Sequence, residues 1–302
     1  MDNKEKIKKR VLNENKGTLK EFFTNLIYRI LRDDISGIGA QLAYNMLLAL
    51  IPLLFVFFRG VTIFFPDADR IFFNFLSFIP FGAESMVESV VDVISNQQAE
   101  GTFVASLLVS LYLASKGVRS IITSVNQAFG LKEGRNSFVI ALASLFYTIL
   151  LIAIVVLVLT LRIISKSYLQ EFLDNTVFQV KVFEITVNIF KILLTQVFPY
   201  IVITLFLAFF YKTAPSTNRN QKVQFQEALV GGISGGIGAM ILTEIYSFFM
   251  NNISRWNIFY GSFASIMALL VWFLFINYII IIGAEIVACY IEVYKGKKIF
   301  KN

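Results

Sequence analysis

Residues 228–250 read ALVGGISGGIGAMILTEIYSFFM, an apolar run whose one charged residue is Glu244. At about 1.5 Å of rise per residue it covers about 35 Å as a helix, more than a bilayer's hydrocarbon core of about 30 Å. Its glycines do not make a phosphate-binding loop, because they follow no strand and sit inside an apolar helix. They recur instead as two overlapping pairs, Gly231/Gly235 and Gly232/Gly236. Small residues at that spacing let helix backbones approach closely within a membrane. This face is read as the tightest helix contact of the protein, or as a hinge.

Five further stretches share this character: 38–65, 102–124, 138–161, 189–211 and 260–289. With them the chain is 57% hydrophobic, well above a soluble domain. The expected fold is all-α: a polytopic membrane protein, a bundle of six transmembrane helices plus interfacial amphipathic helices. The loops are too short for a separate soluble domain. The expected organisation is a basic, amphipathic N-terminal segment (1–36), a six-span membrane domain (37–290) and a basic tail (291–302). The polar N-terminus lacks the layout of a cleavable signal peptide, so the first span is expected to remain.

Within 18–32, Leu19, Phe22, Phe23, Leu26, Ile27, Ile30 and Leu31 recur at helical spacing. This predicts an amphipathic helix in the membrane interface, anchored by Lys20, Arg29 and Arg32. The first span carries Pro52 mid-helix, where a kink is expected. The external segment 67–101 begins with an apolar run, 71–81, too short to span and therefore interfacial or re-entrant. Glu84, Glu88 and Asp92 follow on one helical face, read either as a solvated surface or as a site for a cation or cationic headgroup.

Charge sets the orientation. Of the 27 Lys and Arg, most lie in segment 1–35, around 116–135 (Lys116, Arg119, Lys132, Arg135), in the loop with Lys212, Arg219 and Lys222, and in the tail with Lys295, Lys297, Lys298 and Lys301. The positive-inside rule places both termini in the cytoplasm. The net charge of +7 then reflects loops facing anionic inner-leaflet lipids, the expected partners. The run Lys4-Glu5-Lys6-Ile7-Lys8-Lys9-Arg10 is read as attracted to the membrane surface rather than to nucleic acid, and no nucleic-acid partner is expected. The oligomeric state stays open.

The chain has no histidine and a single cysteine, Cys289. That removes the commonest general base, the Ser-His-Asp and Cys-His arrangements, histidine zinc sites and any internal disulfide. No cofactor, metal site or catalytic residue is expected, and Cys289 reads as a packing residue.

The order of several short motifs resembles the YihY/BrkB family of bacterial inner-membrane proteins. They are Leu42-Ala43-Tyr44 through Leu50-Ile51-Pro52-Leu53; Ala114-Ser115-Lys116-Gly117, then Asn126, Gly130, Glu133 and Arg135; Phe210-Tyr211-Lys212-Thr213-Ala214-Pro215; the glycine-rich fifth span; Tyr260-Gly261-Ser262; Trp272; and Gly283-Ala284-Glu285. The resemblance implies six transmembrane helices and a bacterial plasma-membrane location. Members long carried the name ribonuclease BN, which is generally regarded as mistaken. Others are linked to virulence or look like transporters.

Ionisable groups inside spans are costly and mark candidate sites. Arg59 and Glu244 are expected at matching outer depths, and Lys116 and Arg119 at an inner depth with Glu285 as a partner for one of them. Gln41, Tyr44 and Asn45 share one face of the first span, and Asn277 lies within the sixth. These groups are either structural pairs or a polar path for an anionic or zwitterionic amphiphile. The expected function is transporter-like, moving a lipid or other amphiphile between leaflets. The alternative is a non-catalytic scaffold for envelope assembly or virulence; ribonuclease activity is not expected.

Overall fold

The computed structural model describes residues 18–33, 35–48, 100–154, 157, 189, 193, 197–216, 222–252 and 262–296. Pro52, Arg59, segment 71–81, the Glu84/Glu88/Asp92 face, the run 4–10, Arg219 and residues 297–302 lie outside the described residues. The described elements are all helical, as the apolar runs predict: α1 (Leu19–Arg32), α2 (35–48), α3 (Glu100–Ala128), α4 (Ser137–Ile154), α5 (Phe198–Thr213), α6 (Phe225–Asn252) and α7 (Ser262–Tyr294). Among the described residues, three segments are long and apolar enough to cross a membrane: Ser137–Ile154, Phe225–Phe248 and Met267–Tyr294. α5 is a shorter apolar helix with Pro199 in its first turn, where a missing N–H leaves no bond unmade.

α7 is the hub, packed against α1, α3, α5 and α6. The glycine pairs of α6 make two of its closest contacts. A Cβ at Gly232 would lie 2.6 Å from the Thr204 carbonyl oxygen of α5, and one at Gly236 would meet the Thr204 side chain. A Cβ at Gly231 would lie 2.6 Å from the Gly283 carbonyl oxygen of α7, and one at Gly235 2.8 Å from Leu207 of α5. Absent side chains thus let three backbones approach, the arrangement that membrane helices use in place of a hydrophobic driving force. Between them sits Tyr211, fully buried, its hydroxyl donating to the Ile280 carbonyl at 2.8 Å.

One end of the bundle is closed by polar contacts. α3 stops in a Schellman turn: Gly130 (φ 63°) donates to the Gln127 carbonyl at 2.8 Å, and Leu131 to that of Asn126 at 2.8 Å. Just beyond, Arg135 grips Glu133 through Nε (2.8 Å) and Nη2 (2.7 Å), while Nη2 also reaches the Ala214 carbonyl at 3.0 Å. Asn126 donates to Glu133 at 2.6 Å and accepts from the Ser216 backbone N–H at 2.8 Å. On α4, Tyr147 donates to Thr213 of α5 at 2.9 Å. At the start of α6 the Gln224 N–H donates to Glu227 at 2.8 Å, half of a capping box. These contacts, with Arg29 and Glu285 described below, gather the starts of α2, α4 and α6 with the ends of α3, α5 and α7. Successive helices therefore run in alternating directions.

Candidate functional site: a buried charge cluster and a cationic stripe

At that end, α1 lies with its faces inverted relative to a helix on a soluble protein. Its buried residues are Glu21, Asn25, Leu26 and Arg29, whereas Leu19, Phe23, Ile27 and Leu31 are exposed, Leu31 to 78%. This corrects the expectation that Arg29 anchors α1 at the interface. The apolar stripe faces outward, so the polar face turns inward to the carboxylates of α7. Lys20 and Arg32 do remain on the exposed side.

Arg29 is the centre of the cluster. Its Nη1 donates to the Ala128 carbonyl at the end of α3 (3.1 Å) and lies 3.4 Å from Glu285 Oε2; its Nη2 holds Glu292 at 2.5 Å. One guanidinium thus joins α1, α3 and α7, as its fan of donors permits. Arg32 grips the next residue, Asp33, at 2.6 and 2.7 Å. Burial pushes the Asp33 carboxyl up, but the Arg32 hydrogen bonds and the nearby Arg32 and Arg29 charges outweigh it and hold Asp33 below its ordinary value. At the neighbouring clamp, the Arg135 hydrogen bonds hold Glu133 below its ordinary value. Cys289 packs beneath α1, its thiol 3.3 Å from the Phe22 carbonyl oxygen.

The other sequence candidates are distributed unevenly. Glu285 is fully buried, but Arg29 faces it; Lys116 and Arg119, expected as its partners, stand on the exposed side of α3. Asn277 is fully buried, donating to the Phe273 carbonyl at 2.8 Å and lying 3.5 Å from Met46 Sδ. Gln41 and Tyr44 are exposed and Asn45 half-buried. Glu244 is exposed on α6, while Arg59, its expected partner, is outside the described residues.

Lys116 and Arg119 belong to a longer pattern on α3. Tyr112, Lys116, Arg119, Thr123 and Gln127 are all exposed, at spacings that keep them on one helical face. Toward the other end of α3 the exposed residues on this side are Ala105, Leu108 and Val109. The Thr123 hydroxyl turns back to the Arg119 carbonyl at 3.1 Å, and Lys116 and Arg119 are the charged groups of the stripe. By about 1.5 Å per residue, Arg119 and Lys116 stand about 14 and 18 Å from the end of the helix at Ala128. One face of α3 thus carries cations on one half and apolar side chains on the other.

A family model for the virulence factor BrkB matches residues 26–299. The chain belongs to the BrkB family. It is a membrane protein: BrkB-family relatives carry that description, and the apolar helices of the fold agree with it. The chain is 26% identical over 279 residues to the putative ribonuclease-like protein YfkH of Bacillus subtilis, covering 92% of this chain and 97% of that protein. It is 27% identical over 274 residues to a UPF0761 membrane protein of Psychromonas ingrahamii (88% and 86% covered). A UPF0761 membrane protein of Aliivibrio salmonicida is 26% identical over 280 residues (88% and 82% covered). No solved structure matches this BrkB-family chain.

Several residues of the site escape sequence reasoning. Asp33 and Glu292 sit at or near helix ends, where charge is ordinary. The available signal for Arg29 is its spacing, since Glu21, Asn25 and Arg29 form a polar row opposite the apolar one. Which row is buried depends on whether lipid covers the helix.

Proposed function

We propose that this protein spans the plasma membrane six times with both termini in the cytoplasm and moves an anionic or zwitterionic amphiphile, of the phospholipid class, between leaflets. The carrying observation is the exposed face of α3, with Lys116 and Arg119 on one half and Ala105, Leu108 and Val109 on the other. A headgroup phosphate matches the cations and acyl chains match the apolar half. Two exposed cations at that depth are costly against hydrocarbon, so such a face needs an anion or water beside it. The alternating helix directions support the six-span reading, and the gathered end carries the basic loops that the positive-inside rule assigns to the cytoplasm.

The proposed role is not enzymatic. A chain with no histidine lacks the commonest general base, and the ribonuclease-like name of the B. subtilis relative is not extended to this protein. The glycine-mediated packing of α5, α6 and α7 favours a second reading, a rigid scaffold for envelope assembly with no cargo.

Liposome reconstitution separates the two readings. The purified protein is placed in vesicles with fluorescent phospholipids of several headgroups, and inner-leaflet probe is detected by its exposure to an external quencher. Transport gives exchange above protein-free vesicles. Equal rates with and without protein, for every headgroup, would leave the scaffold as the reading to pursue.

A further inference from the structure

Glu244 stands apart from the carboxylates at the gathered end. It lies on α6, inside the segment Phe225–Phe248 that is long and apolar enough to cross a membrane, and it is exposed. Asp33, Glu133, Glu285 and Glu292 each face an arginine, whereas none of the ion pairs among the described residues involves Glu244. The residues three and four positions away on its helical face are Met240, Ile241, Ser247 and Phe248, all exposed and none a cation. The neighbouring Thr243 hydroxyl turns back to the Ala239 carbonyl at 2.7 Å. Depth makes such a charge costly. Glu244 is about 6 Å short of Phe248 and about 28 Å from Phe225 at the gathered end. Helix side chains lean toward the helix N-terminus, so this one reaches toward the middle of the span rather than toward its nearer end. A carboxylate on the lipid-facing side of a span needs a positive partner.

The face narrows what that partner is. A bare metal ion needs about six or more oxygen ligands, and no group of three metal-binding side chains occurs among the described residues. A twofold contact with a second copy, centred here, would set Glu244 against its own counterpart, like charge on like. An ammonium carried on an apolar molecule meets both halves of the face: its N–H groups suit the carboxylate, and its chains suit Met240, Ile241 and Phe248. A primary ammonium brings three N–H donors, as that of lysine does, whereas a quaternary choline group brings none.

We propose that the outward face of α6 around Glu244 binds phospholipids with an ethanolamine headgroup, the carboxylate pairing with the ammonium and the apolar residues beside it packing on acyl chains. As a step in transport this rests on the lipid-transport reading and deepens it. Glu244 stands on the half of α6 remote from the gathered end, whereas Lys116 and Arg119 stand on the half of α3 nearer that end. A lipid that carries both a phosphate and an amine then finds cations in one half of the membrane and a carboxylate in the other.

Binding is tested on the full chain without any transport step. The protein is released from vesicles holding equal amounts of phosphatidylethanolamine, phosphatidylcholine and phosphatidylglycerol with matched acyl chains, and the lipids it retains are weighed by native mass spectrometry. The wild type is expected to retain phosphatidylethanolamine several-fold over phosphatidylcholine, and Glu244→Gln to retain the two equally. In nanodiscs rich in phosphatidylethanolamine, a membrane-permeant carbodiimide is expected to couple the Glu244 carboxyl to the headgroup amine as an amide, found by peptide mass mapping. Equal retention of the two lipids by the wild type, a preference that survives Glu244→Gln, or no lipid conjugate at Glu244 overturns the site. Coupling of Glu244 to a lysine of a second chain instead overturns it in favour of contact between copies. The wild-type comparison needs no variant to fold. In the liposome exchange assay, Glu244→Gln is expected to slow phosphatidylethanolamine several-fold and to leave phosphatidylglycerol unchanged. Equal slowing of both headgroups, or of neither, overturns the role of Glu244 in transport and leaves the transport reading standing. No exchange of any headgroup by the wild type counts against the transport reading alone, since retention and coupling are read without lipid movement.

Discussion

Arg29 Nη1 lies 3.4 Å from Glu285 Oε2 across 256 residues of sequence, so α1 is bolted to α7. The same guanidinium holds Glu292 and the carbonyl that ends α3. Removing it strands a fully buried carboxyl and an unmet carbonyl together. Breaking one side of a buried ion pair costs about 3–5 kcal/mol. Arg29→Ala is therefore expected to lower the thermal unfolding midpoint in detergent by far more than Arg32→Ala, whose side chain is 44% exposed. Arg29→Lys should recover part of the loss, since one ammonium cannot reach three acceptors spread over two helices. Equal midpoints for Arg29→Ala and Arg32→Ala would contradict this role.

The Glu133–Arg135 clamp predicts an acid-sensitive contribution. The Arg135 hydrogen bonds hold Glu133 below its unfolded-state value, so its carboxylate stabilises the fold at any pH above the usual range, near 4.3. That contribution is lost as pH falls through the lower, folded-state value. Glu133→Gln is expected to destabilise at pH 7 and to converge on the wild type in acid. The check is the unfolding midpoint of both proteins from neutral to acid pH. A difference that does not shrink would show that the carboxylate charge is not what Arg135 and Asn126 recognise.

Sequence and structure agree most closely where one physical rule operates alone. Apolar length marks the helices, and a four-residue spacing of small side chains marks the α6 contacts, because close approach needs nothing more than the missing Cβ. The charged sites depend on two rules in competition. In water, a row like Leu19, Phe23, Ile27 and Leu31 is the buried one; beside lipid it is the exposed one, and Arg29 turns inward with Glu21 and Asn25. Reading Glu285 against Lys116 or Arg119 by depth had the same weakness. Depth along a helix axis says nothing of azimuth: the two cations stand on the exposed side of α3, while Arg29 of α1 supplies the partner. Glu133 and Arg135 stand in the sequence only as motif residues of a short loop, and the attachment of their clamp to Ala214, and through Asn126 to Ser216, joins segments too far apart in sequence for spacing to reveal.

Glycine substitutions should separate contact from propensity. At Gly232 a Cβ would lie 2.6 Å from a backbone carbonyl oxygen, which no rotamer change can relieve. Gly232→Ala must push α5 and α6 apart, and overpacking of this kind costs about 1–3 kcal/mol. At Gly117, inside α3, a Cβ would meet nothing within 4 Å. Gly117→Ala should therefore stabilise by about 0.4–1 kcal/mol, through the smaller conformational freedom of the unfolded chain. Unfolding midpoints that move in opposite directions for the two variants are the expected result. Destabilisation by both would mean that α3 uses Gly117 as a close contact in the membrane.

Tyr211 offers a finer probe of the same helix junction. Its hydroxyl donates to the Ile280 carbonyl inside α7, and its ring fills the space left by Gly231 and Gly283. Tyr211→Phe keeps the ring and should cost about 0.5–1.5 kcal/mol, the net worth of one hydrogen bond. Tyr211→Ala empties the space between three helices, and loss of a large aromatic costs about 3–5 kcal/mol. Comparable losses for the two variants in thermal unfolding would mean that the hydroxyl, rather than the ring, holds the junction.

The cations of α3 should behave in the opposite way to Arg29. Lys116 and Arg119 are exposed, and surface charges of this kind contribute little to folding. The double variant Lys116→Ala/Arg119→Ala is therefore expected to unfold within a few degrees of the wild type. If the stripe guides a phosphate, the same variant should slow lipid exchange in liposomes, most strongly for anionic headgroups and least for zwitterionic ones. Lys116→Arg should restore the rate, because either cation attracts the headgroup, whereas Lys116→Gln should not. High salt should weaken the wild type toward the variant, since an exposed charge is screened over a Debye length of about 8 Å at physiological ionic strength and less above it. An exchange rate indifferent to both cations and to salt would detach lipid movement from α3, even if the protein moves lipid.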